Sequence, residues 1–584
     1  MATLYAFDSD APATTLGAKG SDVYTATGVG DPRVALSVLL TRGVAHDTVR
    51  RGVKAILDSS LDNASTLVED AFLLAFQTRD VRGGKGERDA SEEVFQALLA
   101  DTRTQPLALD LIDLLPEYGC WKDVFGLWTP ITRDRILDIA AAQFKADEAT
   151  AASDPAKGVS LLAKWAPRED RGKEMARALA DRLFVARPGE PAQFSTVMKH
   201  YRKRVAALNK RLQTVETKMC AKDWEEIEPG KVPGRAGKKY VRAFLNEVVA
   251  RKGQYVAPGT LRHPDDPVRM KCRENFMEYN KKTATGEVKA KGADTVFPHE
   301  VIKKVNAMCG GSYHDGDYYG CEHKRESPEG SESEKDHLRG VWRAMVEAAR
   351  AGGGLGRSLA MCDFSGSMQC AGRAGDLPYW VSMAMGLLIS ECTTEEFKNK
   401  VLTFDSSPTI HTYPEGDVFQ KIQSLRENPR VGQGTSTDFQ KAMDLVLATL
   451  KAARTLPGQE PENLIVITDM NWDQAASSSE YGAYTGNSYR HHVKTAPWQT
   501  HVEMIRESFK RAGEDIHGEG NGWKMPRIVI WNVAATSADF HAKSDTEGVV
   551  MLAGWSPSLF KVLQEKGVVV QTPYMALRAQ LDDP

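Results

Sequence analysis

Cysteine is scarce in this chain: eight among 584 residues, at positions 120, 220, 272, 309, 321, 362, 370 and 392, with no Cys-x-x-Cys pair. Such a density is far below that of a disulfide scaffold and implies reduced thiols in an intracellular, most simply cytoplasmic, setting. No run of about 18 apolar residues occurs, so neither a membrane-spanning helix nor a membrane partner is expected. The opening stretch, MATLYAFDSDAPATT, has no basic segment leading into an apolar one, and no secretory signal is expected. Neither sign of charge dominates, with 75 Lys and Arg against 78 Asp and Glu and a formal net charge of -3. That balance excludes a uniformly basic nucleic-acid coat and a disordered polyanion. GxSxG, HExxH and Cys/His nucleophile arrangements are also absent, so no catalytic residue is expected and the chain reads as a non-enzyme.

The charge that is present is unevenly placed. Residues 199–304 hold 25 Lys and Arg against 13 Asp and Glu, whereas residues 315–336 hold 3 against 8, and residues 357–584 hold 21 against 27. A basic segment, an acidic hinge and a mildly acidic C-terminal segment follow from these counts. In the basic segment, HYRKRVAALNKR and several Lys-Lys pairs are interleaved with aromatics. Phosphate contact and base stacking would draw on Tyr201, Arg202, Lys203, Arg204, Lys210, Arg211, Lys238 and Lys239. The competing reading is a solvated helix face paired with Glu216, Glu225 and Glu226.

Periodicity divides the chain. Residues 1–35 lack it and read as an irregular N-terminal arm. Over 36–306, apolar residues recur at helical spacing between Gly/Pro-rich breaks, as expected for an irregular all-α domain. Residues 307–356 read as an acidic Gly/Ser-rich linker and a connecting helix from about residue 337. Over 357–584 the pattern becomes short apolar runs (SLAMCDF, KVLTF, LIVITD, RIVIWNV, GVVML) alternating with amphipathic helices. That alternation predicts a doubly wound, mostly parallel sheet. The expected fold class is multidomain, α plus α/β.

Two local motifs compete for attention. RDVRGGKGER (79–88) fails the phosphate-loop pattern, since Arg79 stands where its first Gly belongs and Gly86 follows Lys85 where Ser or Thr is needed. A structural turn is the preferred reading, with an anion-binding nest of Arg79, Arg82, Lys85 and Arg88 as the alternative. Cys309, His314, Cys321 and His323 match no standard zinc spacing.

The strand ends carry the strongest signal. Asp363-Phe364-Ser365-Gly366-Ser367 closes the first apolar run, Gly434-Thr435-Ser436-Thr437-Asp438 precedes a helix, and Asp469 closes LIVIT. In a doubly wound sheet, ligands bind outside the carboxyl ends of the strands. Carboxylates and hydroxyls together form a hard oxygen set suited to Mg²⁺ or Mn²⁺.

The order DxSxS, Thr, Asp resembles the metal-ion-dependent adhesion site of von Willebrand factor A domains. This resemblance implies a Rossmann-like domain over 357–584 with Asp363, Ser365, Ser367, Thr437 and Asp469 around a metal ion. Thr435 competes with Thr437, and Asp438 is a further candidate around the metal. RDVRGGKGER, LLPEYGCWKDV, LLAKWAPRE, residues 201–227 and MCDFSGSM together resemble an uncharacterised family that joins a helical domain to a von Willebrand A domain. That family is similar in layout to the Ro, or TROVE, proteins, whose HEAT-like helical ring binds small structured RNAs. The resemblance implies a non-catalytic, RNA-binding protein with a Mg²⁺-dependent site. The alternative is a metal-dependent assembly module that captures an acidic protein partner without RNA.

Overall fold

The computed structural model describes residues 7, 11–17, 21–154, 156–184, 194–249, 256–310, 330–370, 376–431, 437–472, 498–535, 538–564 and 570–582. The first regular element is a hairpin of β1 (Thr14–Leu16) and β2 (Asp22–Tyr24) within the segment expected to be irregular. It is pinned to the far end of the chain: Tyr24 and Phe540 exchange backbone hydrogen bonds, and Ser544 N–H donates to the Val29 carbonyl. Four helices follow, α1 (Pro32–Leu39), α2 (His46–Leu57), α3 (Ala64–Arg79) and α4 (Arg88–Ala100). The Asp31 carboxylate caps α1 by accepting from Arg33 N–H at 2.8 Å, and the Asn63 side chain caps α3 through Thr66 N–H at 2.9 Å. Further helices, among them Arg133–Ser153, Phe194–Leu212 and Pro267–Thr285, continue to Pro298–Met308.

The apolar runs then form β3 (Ser358–Asp363), β4 (Lys400–Phe404), β6 (Asn463–Thr468), β7 (Arg527–Asn532) and β8 (Val549–Ala553), with β5 (Ile410–Thr412) between β4 and β6 in sequence. All pair in one six-stranded sheet of order β5-β4-β3-β6-β7-β8, parallel except for β5 at one edge. The antiparallel β5 is missing from the sequence reading because three residues, one of them a histidine, carry no apolar run. Order reverses between β3 and β6: the chain builds outward from β3 through β4 and β5, then returns to β3's other side. This is the switch point at which open α/β sheets place their ligands.

Strand alternation sorts the core. Leu359, Met361, Leu464, Val466, Ile528 and Ile530 face one side, while Ala360, Cys362, Ile465, Ile467, Val529 and Trp531 face the other. The first side shares a continuous core with α1–α4 and with the helices Phe439–Ala452 and Trp498–His517. On the second side lie Pro298–Met308, Glu332–Ala351 and Pro378–Cys392. Helix Pro378–Cys392 lies so close to β3 that a Cβ on Gly386 would fall 2.2 Å from Cys362 Sγ. Thus Glu332–Ala351 is part of the sheet's cover, although the sequence reading placed it in a connector.

A buried ion network joins the two ends of the chain. The Asp70 carboxylate on α3 is 1% exposed and accepts from Arg33 Nη1 of α1 at 2.8 Å and from Arg578 Nη1 of the C-terminal helix Pro573–Leu581 at 2.7 Å. Removing one partner of a buried pair costs about 3–5 kcal/mol, because the other charge is stranded. Arg33 keeps its pair with Asp31 and Arg578 its pair with Asp582, so Asp70→Ala is expected to lower unfolding stability by about 1–3 kcal/mol in denaturant titration, and no loss would contradict this account.

Candidate functional site

The site begins where β3 and β6 end side by side. Asp363 is the last residue of β3, fully buried, and Asp469 follows the last residue of β6 and is 1% exposed. The Asp363 Oδ1 atom accepts Ser365 N–H at 2.9 Å, which folds DxSxS back on itself, and Ser365 Oγ lies 3.1 Å from Ser367 Oγ. Across the junction, Asp469 Oδ1 accepts Asn471 N–H at 3.1 Å, and Thr437 Oγ1 donates to the Asn471 carbonyl at 2.6 Å. Thr468 Oγ1, at the end of β6, is 2.7 Å from Asp363 Oδ2. Two hydrogen-bonded groups result, Asp363 with Ser365, Ser367 and Thr468, and Asp469 with Asn471 and Thr437, and the peptide link between Thr468 and Asp469 joins them. Ser365 and Thr437 are fully buried and Ser367 is half-buried.

Electrostatically the junction is unbalanced. Burial, and then the negative charge of Asp469, push the Asp363 carboxyl up to about 7. Asp469 Oδ2 is buried without a hydrogen-bond partner among the described residues. A buried anionic oxygen with no donor is costly unless a cation or proton reaches it. Three hydroxyl oxygens beside two carboxylates fit a hard divalent cation such as Mg²⁺ or Mn²⁺. No group of three or more His, Cys, Asp or Glu side chains is placed to hold a metal among the described residues, and the junction itself has two carboxylates. Asp438 is instead a helix cap, its Oδ1 accepting Lys441 N–H at 3.0 Å, and Thr435 lies outside the described residues. So do His314, Cys321, His323, His491 and His492.

Sequence reasoning missed the residues that support the loop after β6. Trp472 stacks on Phe439 (centroids 4.8 Å apart) and on His541 (3.9 Å), and Met470 takes a left-handed backbone with φ 65°. Thr468 was legible as a hydroxyl at a strand end. His541, distant in sequence, gives no local signal.

The candidate nucleic-acid residues are mostly engaged within the protein. Tyr201 is a core residue at 2% exposure: its hydroxyl donates to the Pro167 carbonyl and its ring meets Phe144 edge-on. It therefore offers no stacking face. Arg202 pairs with Glu169, Arg204 with Glu148, and Lys238 with Glu300, while Arg211 donates to the Asp154 and Lys157 carbonyls. Lys203, Lys210 and Lys239 are exposed. Arg242 with Glu334 and Lys303 with Asp376 add pairs whose acids, like Glu169 and Glu148 but unlike Glu300, lie outside 199–304, so part of that segment's excess charge is met inside the molecule.

The RDVRGGKGER loop is not an open anion nest. The Asp80 carboxylate accepts Arg82 N–H and Gly83 N–H at 2.9 and 2.8 Å and fills that cradle. Arg79 pairs with Asp123, Arg88 with its neighbour Asp89, and Arg82 is exposed. Lys85 is fully buried, with its ammonium on the Ser37 and Leu40 carbonyls at the end of α1, and burial pushes its pKa down to about 7. A Cβ on Gly84 would fall 1.8 Å from the Gln77 carbonyl oxygen, so the glycine lets the loop lie against α3. The motif is a joint between α1 and α3.

A separate cavity of ≈ 1070 Å³ is walled by segments from residue 42 to residue 300, including Arg42, Arg88, Lys122, Lys164, Arg235 and Lys239. Trp165, 37% exposed, and Tyr240 and Phe297 also line it, whereas Trp121 is a buried core residue. No helix among the described residues is long and apolar enough to cross a membrane.

Comparison with known proteins adds families without assigned function. Residues 357–581 match a domain of unknown function (DUF7788), and residues 130–259 match another (DUF2828). The chain is 24% identical over 515 residues to uncharacterized protein L728 of Acanthamoeba polyphaga mimivirus, covering 84% of this chain and 76% of that one. Among solved structures it is similar to the Ro (RSR) protein of Deinococcus radiodurans, at 14% identity and a TM-score of 0.36 over 92% of this chain and 100% of that one.

The raised Asp363 pKa has a signed consequence. Without metal, the folded state keeps this proton up to about pH 7, while an unfolded Asp releases it near about 3.9. The folded state thus binds more protons in between, and stability falls as pH rises across that window. In EDTA, wild-type protein is expected to lose stability relative to Asp363→Asn as pH rises from about 5 to about 7. Parallel curves in denaturant titrations would contradict the assignment.

Proposed function

We propose that the protein is a non-catalytic binding protein in which Asp363, Ser365, Ser367, Thr437 and Asp469 hold Mg²⁺ or Mn²⁺ in a von Willebrand A-type site. The observation that carries this reading is the buried Asp363/Asp469 pair at the β3/β6 switch point, with Asp469 Oδ2 unpartnered among the described residues. When bound, the ion supplies a Lewis-acidic position for an anionic group of a partner, such as an Asp or Glu side chain. The protein's own residues set that preference: two carboxylates balance a dication without exceeding its charge and the hydroxyls add none, so a coordination position left open would favour a further oxygen anion.

In thermal melts at about 100 times the dissociation constant, Mg²⁺ should stabilise wild-type protein by about 2.7 kcal/mol. Asp469→Asn should abolish the shift. An equal shift in that variant, or none in wild type, would contradict the reading.

A second reading, RNA binding by the helical region, is favoured by the cavity rather than by the Phe194–Leu212 helix. Arg235 and Lys239 reach it beside the half-buried Tyr240, a cation and aromatic mixture suited to phosphate and base. Small structured RNA is the ligand class. Charge reversal at Arg235 and Lys239 should weaken filter-binding affinity and reduce its salt slope by about one per lost phosphate contact. Reversal at Lys203 and Lys210 should do less. Equal effects of the two pairs would return the RNA surface to the helix face.

A further inference from the structure

The hydrogen-bond polarity behind the carboxylates points to residues beyond the five. Thr468 Oγ1 has two N–H donors aimed at it, Met470 N–H at 3.1 Å and Trp472 Nε1–H at 3.2 Å. An N–H only donates, so both lone pairs of the hydroxyl are engaged as acceptors. Its proton is left for Asp363 Oδ2, 2.7 Å away. The other oxygen, Oδ1, accepts Ser365 N–H. Each Asp363 oxygen therefore accepts one hydrogen bond, which favours the ionised carboxylate and fixes its plane.

Trp472 is held in turn. Its indole lies between Phe439 and His541 with interplanar angles of 6° and 10°, and Phe404 meets it edge-on at 5.6 Å. His541 Nε2 is 3.0 Å from the Met470 carbonyl, which can only accept, so Nε2 carries the proton. That bond holds Met470, the residue with left-handed backbone, directly after Asp469. His541 lies next to Phe540, whose backbone pairs with Tyr24 of the N-terminal hairpin.

We propose that Thr468, Trp472 and His541 are positioning residues for a divalent cation: Trp472 and Met470 N–H orient the Thr468 hydroxyl as an obligate donor to Asp363, and His541 fixes the turn that presents Asp469. The proposal rests on the metal reading above. Outer-shell partners of this kind typically change metal affinity by about 10–100-fold when removed.

Thr468→Val and Thr468→Ser separate the hydroxyl from its shape. Titration calorimetry with Mg²⁺ should show about a tenfold or greater loss for Thr468→Val and near wild-type affinity for Thr468→Ser. Trp472→Phe, which keeps a ring but removes the indole N–H, should lose affinity in the same direction. The bound-Mn²⁺ electron paramagnetic resonance spectrum supplies a readout that loss of packing alone would not move, and it should change in Thr468→Val but not in Thr468→Ser. Should wild type bind the ion while Thr468→Val binds it equally well, the positioning role is overturned and the metal site stands. Should wild type bind neither Mg²⁺ nor Mn²⁺, the metal reading falls and the positioning role falls with it. Equal losses in the Val and Ser variants would assign the effect to packing and also overturn the proposal.

Discussion

Two carboxylates sit almost fully buried at the ends of adjacent parallel strands, and the local structure depends on how that charge is handled. Asp363 receives one hydrogen bond on each oxygen, while Asp469 receives one on Oδ1 and none on Oδ2 among the described residues. Burying a second like charge beside the first is unfavourable without a counter-ion. Strand order puts both residues at the switch point, the place where open α/β sheets bind their ligands. The hydroxyls of Ser365 and Ser367 lie beside Asp363, and Thr437 Oγ1 bonds the loop that follows Asp469. Charge, topology and donor type favour a hard divalent cation together, and each would be difficult to explain alone.

The sheet that carries this junction is anchored to the rest of the molecule through polar contacts as well as apolar ones. Asn532 of β7 donates to the Val38 carbonyl of α1 at 2.9 Å, and Arg578 of the C-terminal helix meets Asp70 of α3. A helical region sharing its core with one sheet face is unlike a domain on a flexible tether. The loop carrying Asp469 touches this assembly through His541, beside the strand contact made by Tyr24. Local geometry at the junction is thus set partly by residues at opposite ends of the chain.

Much of this was legible in the sequence. The parallel strands appear as apolar runs because both of their faces are buried, and the five candidate ligands appear in order because the fold places strand ends together. β5 was invisible for want of an apolar run, and the hairpin because its stabilising partner, Phe540, lies at the other end of the chain. Basic residues misled for a physical reason: their sequence density does not disclose their partners. The acids that meet Arg202, Arg204, Arg242 and Lys303 come from outside the basic segment, and Tyr201 turns inward. Thr468 and Trp472 follow from hydrogen-bond polarity, which requires coordinates.

Anomalous diffraction from crystals grown with Mn²⁺ tests the central claim most directly. The account predicts a peak enclosed by Asp363, Ser365, Ser367, Thr437 and Asp469, with direct oxygen contacts at about 2.0–2.2 Å, as expected for a hard octahedral ion. A map from Mn²⁺-saturated crystals with no peak at that junction would contradict it.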